Sequence, residues 1–145
     1  MFTFRKAEKS NLEFLFNLRN RTMRQHLENT GVAINEEAQR ARVLYRFDCA
    51  KIIMLDGIDV GLLKVNRDEN PWELIQIQLS PEYQGRGFGQ VLIRQVLNEA
   101  QKAGAHVKLS VLKANPARKL YERIGFRIID EAEYIYIMQY NNRSG

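Results

Sequence analysis

The hexapeptide Gln84-Gly85-Arg86-Gly87-Phe88-Gly89 sets glycine at three alternate positions, directly before a helix-patterned stretch from Gln90 to Ala103. Ahead of it runs Glu73 to Leu79, apolar and alternating, closed by Ser80-Pro81. Strand, glycine-rich turn and helix start, in that order, is an arrangement that holds a phosphate. The first turn of a helix leaves backbone N–H groups without partners, and the helix dipole adds partial positive charge there. Glycines let the backbone curl into a concave nest with no Cβ in the way. Arg86 brings a full charge into the turn. The stretch therefore reads as a seat for the pyrophosphate of a nucleotide-like cofactor. Two common versions are excluded by spacing. A dinucleotide turn needs its third glycine where Gln90 stands, and a P-loop needs Gly-Lys-Ser/Thr at its end.

What remains is Gln/Arg-x-x-Gly-x-Gly/Ala, here Gln84 to Gly89. It resembles the coenzyme A-binding motif of the GNAT superfamily of acyl-CoA-dependent N-acyltransferases. Downstream, Leu109-Ser110-Val111 leads to Asn115-Pro116-Ala117-Arg118-Lys119-Leu120-Tyr121-Glu122-Arg123-Ile124-Gly125-Phe126. That segment is similar to the second signature of the same superfamily, and the two together cover residues 73 to 126.

The resemblance implies an N-acetyltransferase that moves an acetyl group from acetyl-CoA to a primary amine, directly, in a ternary complex. The cosubstrate would be held by Gln84, Gly85, Arg86, Gly87, Phe88, Gly89, Gln90 and Asn115. A backbone N–H near Leu79 would meet the oxyanion, where strands of this family splay and the pantetheine arm pairs with the freed edge. Tyr121 occupies the place of the residue that protonates the departing thiolate. Glu73 stands where some relatives carry a catalytic glutamate, while others place it on the next strand, where this chain has Ser110. Positional analogy suggests His26, Glu28, Asn29, Thr30, Glu37, Tyr45 and Tyr134 as liners of the acceptor pocket.

The chemistry sets the demands on these side chains. A lysine-like amine, with a pKa near 10.4, arrives protonated and must lose a proton, and the oxyanion needs a donor. Glu73 is one candidate base; a water chain held by Gln76 and Gln78, expected on the other face of the strand, is the second. Tyr121 beside Leu120 and Ile124 fits a core aromatic as well as an acid. Arg118 and Lys119 suit phosphates or solvent. The acceptor is open: a small molecule, a peptide N-terminus or a protein lysine. A non-catalytic acyl-CoA-binding regulatory domain would keep the same turn without turnover.

Composition narrows the rest. The 145 residues are 45% hydrophobic and contain one cysteine, Cys49, and two histidines, His26 and His106. That is enough chain for one domain with its own core, residues 1–145, without disulfides or metals, and a cytoplasmic setting follows from the lone cysteine. No metal ligand set stands out, and no apolar run reaches membrane-spanning length. The net charge of +5 raises a nucleic-acid reading, but basic residues are mostly interleaved with acids, and the densest patch is Arg19, Arg21 and Arg24. Oligomeric state is open, a homodimer included.

Patterning predicts the element order β-α-α-β-β-β-α-β-α-β-β. Phe2 to Ala7 alternates as a strand, and Ser10 to Glu13 reads as a capping box opening a helix to about Glu28. Asn35 suits the cap of a second helix with Ala38, Ala41, Leu44 and Tyr45 on one face. Ala50 to Leu55 and Ile58 to Val65 flank Asp56-Gly57, a hairpin signal. Leu92, Ile93, Val96, Leu97 and Ala100 form the buried stripe of the glycine-led helix, and Gly104 its stop. This is the α/β order of the GNAT fold, a mixed sheet with an antiparallel front half.

Overall fold

The computed structural model describes residues 2–30 and 36–142, with residues 23–30 described by backbone alone. Strand β1 (Phe2–Lys6) passes through a 3₁₀ turn into helix α1 (Leu12–Thr30). The capping box falls earlier than Ser10–Glu13: it joins Glu8 and Asn11, with Asn11 Oδ1 accepting the Glu8 N–H at 2.8 Å. The tight 3₁₀ turn brings Asn11 back under Glu8, so the reciprocal cap closes before the α-helix begins.

Helix α2 (Glu36–Leu44) also departs from its pattern. Val43 is its buried residue, while Leu44 and Tyr45 are about half exposed (50% and 48%). Its expected cap, Asn35, lies outside the described residues. Beyond Val43, what holds the helix down is polar. Strand β2 (Ala50–Leu55) and strand β3 (Ile58–Asn66) form the hairpin through Asp56-Gly57, both left-handed (φ 52° and 82°). From β3, the fully buried Lys64 donates to the carbonyls of Arg42 (3.1 Å), Val43 (2.9 Å) and Tyr45 (2.6 Å). An ammonium thus caps the negative end of α2, satisfying carbonyls that the last turn leaves orphaned. Burial first, then Arg42 and Arg19, push Lys64 down to about 8.

Strand β4 (Trp72–Leu79) precedes helix α3 (Phe88–Lys102), followed by β5 (Val107–Leu112), α4 (Ala117–Ile124), β6 (Arg127–Glu131) and β7 (Ile135–Tyr140). The predicted order is present element for element. The sheet runs β1-β2-β3-β4-β5-β7-β6, antiparallel throughout except at β4–β5. One apolar cluster packs Leu15, Leu18 and Val43 on Ala50, Ile52 and Leu62. The larger one takes the full predicted stripe of α3 against β3, β4 and β5, joined by Tyr121, Ile124 and Phe126.

Two irregularities in β4 shape the site. It pairs with β5 only from Trp72–Leu74 to Val107–Leu109, so the parallel ladder stops a third of the way along. It also carries a β-bulge. Lys64 faces Gln76 while Val65 faces Leu74, leaving Ile75 as the extra residue. Cross-strand partners share a face, and Leu62, Lys64 and Asn66 are opposite Gln78, Gln76 and Glu73. All three polar residues of β4 therefore lie on the α1/α2 face. The expectation that Gln76 and Gln78 oppose Glu73 fails because the bulge breaks the two-residue alternation.

Candidate active site

Two cavities, each of about 430 Å³, open on either side of the gap between β4 and β5. The first is built largely from backbone. Gly85 and Gly87 take φ of +75° and +79°, and a Cβ built on either would meet nothing within 4 Å. Only glycine holds those dihedrals without strain, and the open space beside them leaves the amides of the turn accessible. Leu79, Gln84, Gly85, Gly87, Phe88, Gly89, Gln90 and Asn115 all line this cavity. Arg86 does not; its guanidinium sits 5.6 Å from the centre of the Tyr83 ring, outside the lining. The cation on the cavity wall is Arg123.

At the mouth of the gap the Leu79 amide is aimed by register. Leu79 lies opposite Gly61, and the neighbouring Ser80 N–H bonds the Val60 carbonyl at 2.8 Å. Leu79 is thus in a non-hydrogen-bonded pair, and its own N–H turns away from β3 into the gap. Its carbonyl accepts from Gln84 Nε2 at 2.9 Å, which ties the glycine turn to the strand end. Gly61 makes this approach possible, because a Cβ there would come within 2.2 Å of the Gln78 carbonyl oxygen.

The second cavity is built from side chains. Glu73, Gln76 and Gln78 line its floor, Ser110 and Leu112 its β5 wall, and Arg19, Gln39, Arg42 and Tyr45 its roof. Both amide atoms of Gln76 and the oxygen of Gln78 are buried without a hydrogen-bond partner. Arg19 is 7% exposed, and its Nε donates to Gln39 Oε1 at 2.7 Å. Burial, then Arg42, lowers the Arg19 pKa to about 10, which leaves it charged at neutral pH.

Four residues belong to both cavities: Ile77, Gln78, Asn115 and Tyr121. Asn115 Oδ1 accepts the Ala117 N–H at 2.9 Å, capping α4 as its sequence position predicts. Tyr121 is 9% exposed and packs on Phe126 with ring centres 5.7 Å apart. Burial pushes its phenol up to about 12, and none of the described residues hydrogen-bonds the hydroxyl. Its packing role and its place between the cavities coexist.

Of the acceptor liners suggested by analogy, Tyr45 is in place. Tyr134 is exposed and outside the cavity, and its neighbour Ile135 lines it instead. Glu37 is exposed on α2 and absent from the lining. The side chains of His26, Glu28, Asn29 and Thr30 lie outside the described residues, as does that of Arg24. Arg118 is turned to Glu122 (2.7 Å) and the Tyr136 ring, away from the cofactor-side cavity. Sequence reading missed Arg19, Gln39 and Arg42; only the basic cluster around Arg19 hinted at them. Among the described residues there is no metal-ligand cluster, and no helix is long and apolar enough to cross a membrane.

Comparison with known proteins agrees with this architecture. The family profile described as FR47-like protein matches residues 64–135, about half of the chain. The [Ribosomal protein bS18]-alanine N-acetyltransferase of Haemophilus influenzae is 38% identical over 64 residues, 43% of this chain and 44% of that protein. Mycothiol acetyltransferase of Corynebacterium glutamicum is 27% identical over 77% of this chain and 39% of its own length. The chain thus spans less than half of these curated relatives. The crystal structure of PaiA N-acetyltransferase from Thermoplasma acidophilum in complex with coenzyme A shares the fold, with a TM-score of 0.76 at 18% identity, over 98% of this chain and 99% of that one. With both motifs, the seven-stranded sheet and the splayed β4–β5 pair, the chain belongs to the GNAT superfamily.

Proposed function

We propose that this chain is an N-acetyltransferase that passes an acetyl group from acetyl-CoA to a primary amine, both bound at once. The carrying observation is the pair of cavities that meet at Ile77, Gln78, Asn115 and Tyr121. Two substrates entering from opposite faces of the sheet would meet there without either blocking the other.

Acetyl-CoA supplies the activated thioester carbonyl. The turn from Gln84 to Gly89 and the first turn of α3 offer unpaired amides to its pyrophosphate, and Arg123 and Arg86 add charge nearby. The Leu79 edge offers the pantetheine arm a strand to pair with, and its N–H is aimed where the carbonyl oxygen would gain charge. Tyr121 keeps its proton across the neutral range and gives it to the leaving sulfur. A thiol pKa near 8.5 makes that transfer uphill for a phenol near 12, so it must be concerted with departure rather than precede it. On the acceptor side Glu73 takes the amine proton, with Gln76 and Gln78 placed on the same face to hold a connecting water. The catalytic pair is thus Tyr121 and Glu73, in one domain spanning the chain and acting in the cytoplasm.

The test is incubation of the full chain with acetyl-CoA and a panel of amines, free thiol and acetylated product being read together. Product with stoichiometric thiol is the expected result. Tight coenzyme A binding with no product from any amine would instead make this an acyl-CoA-binding regulatory domain.

A further inference from the structure

The acceptor-side cavity holds more positive charge than its own residues balance. Arg19 and Arg42 line it, and Lys64 is buried close enough to both for their charges to lower its pKa. Among the described residues neither arginine meets a carboxylate: Arg19 is joined through Nε to Gln39, and Arg42 lies with its guanidinium carbon 5.8 Å from the Tyr45 ring centre. Glu73 is the one acid in the lining. A guanidinium buried to 7% exposure with its outer nitrogens uncommitted is costly unless an anion completes it. Several arginines elsewhere are paired, Arg5 with Asp59, Arg21 with Glu82, Arg46 with Asp48 and Asp68, whereas Arg19 is buried without a carboxylate. The cavity lacks such partners where a substrate would sit.

We infer that the acceptor is a carboxylate-bearing amine, its carboxylate gripped by Arg19 and Arg42 and its amine directed along β4 toward Glu73 and Tyr121. The inference rests on the transferase reading given above. The fork of a guanidinium matches a carboxylate with two parallel hydrogen bonds, and Gln39 fixes Arg19 through Nε while leaving that fork open. One acid and two arginines in one cavity complement a zwitterion, whereas a simple alkylamine would leave the buried Arg19 uncompensated. The carboxylate has two sources of equal chemistry: the α-carboxylate of a free amino acid, or an acidic side chain following a peptide N-terminus.

The test reads binding and turnover separately on the full chain, binding with coenzyme A present and turnover with acetyl-CoA. Ligands are the free L-amino acids, their amides, and C-terminally amidated dipeptides with aspartate, glutamate, asparagine or glutamine second. The expected result is calorimetric binding of at least one acid more than tenfold tighter than its amide. Arg42→Gln is expected to remove that preference while leaving coenzyme A affinity unchanged, and Arg19→Lys to weaken it. Selection among free amino acids identifies the α-carboxylate, and selection among dipeptides the side chain. Acids and amides binding alike, or none binding, would overturn the inference, as would a preference intact in Arg42→Gln. Acid-selective binding with no acetylated product would sink the transferase reading and leave the carboxylate site standing. Turnover of amines without acid preference would do the reverse.

Discussion

The two cavities flanking Tyr121 are of equal size and opposite construction. The cofactor side is made of backbone: positive-φ glycines, the start of α3, and the unpaired edge at Leu79. The acceptor side is made of side chains from α1, α2 and the bulged part of β4, with buried polar atoms left open. A backbone site offers the same amides whatever the neighbouring side chains are, so it suits a ligand common to a whole superfamily. A side-chain site changes with every substitution, so it suits the ligand that differs from one member to the next.

Tyr121 is shared by both walls and gives the largest expected effect. Tyr121→Phe keeps the contact with Phe126 and removes only the hydroxyl. Turnover is expected to fall by about 10²-fold, with coenzyme A affinity and melting temperature unchanged. An unchanged kcat, with chemistry shown to be rate-limiting, would return the ring to a packing role alone.

Gly87→Val attacks the backbone side. The open space beside Gly87 is harmless to a side chain, but its φ of +79° is not available to a β-branched residue. Coenzyme A affinity is expected to drop more than tenfold, about 1.4 kcal/mol or more, with acceptor preference among amines unaltered. Calorimetry on a folded variant that still binds normally would break the distinction between the two sides.

On the side-chain wall, Glu73→Gln is expected to lower kcat/KM most for strongly basic amines, and the loss is expected to shrink as pH rises, since more acceptor arrives neutral. A pH–rate profile identical to that of the parent would hand deprotonation to a water held by Gln76 and Gln78.

The smallest effect concerns Lys64, the cap of α2. Its folded pKa near 8 lies below the ordinary value of 10.5, so between these values the unfolded chain binds more protons. Stability therefore rises with pH across that window, and the burden of burying the charge is fully present below it. Thermal melts of the parent and Lys64→Met from pH 7 to 11 are expected to show this rise in the parent alone. Tyr121 opposes it above pH 10 in both chains and cancels in the difference. Parallel curves would mean that the ammonium keeps its proton against the three carbonyls.

Legibility in the sequence followed the same division. Glycine spacing, the Asn115-Pro116 cap and the stripe of α3 are local signals, and each predicted element is present. The acceptor wall was not legible for three reasons. Helix α2 is anchored by Lys64 through twenty residues of intervening chain, so its apolar face misled. The bulge at Ile75 carries no residue signature, so alternation placed Gln76 and Gln78 on the wrong side. Arg19 and Arg42 look like solvated helix charges until tertiary packing buries Arg19 and sets the exposed Arg42 on the cavity lining.

That bulge also has an evolutionary side. Substitutions at Glu73, Gln76 or Gln78 alter one contact at a time. Deleting Ile75 would close the bulge and restore strict alternation while leaving Glu73, Gln76 and Gln78 together on the α1/α2 face, opposite the same β3 partners. A single-codon deletion here therefore straightens the strand without changing which residues line the wall, and point changes are the shorter genetic step to a different lining. In aligning this strand with relatives, a gap at Ile75 keeps the same three positions facing the wall, so the identities at Glu73, Gln76 and Gln78 carry the information.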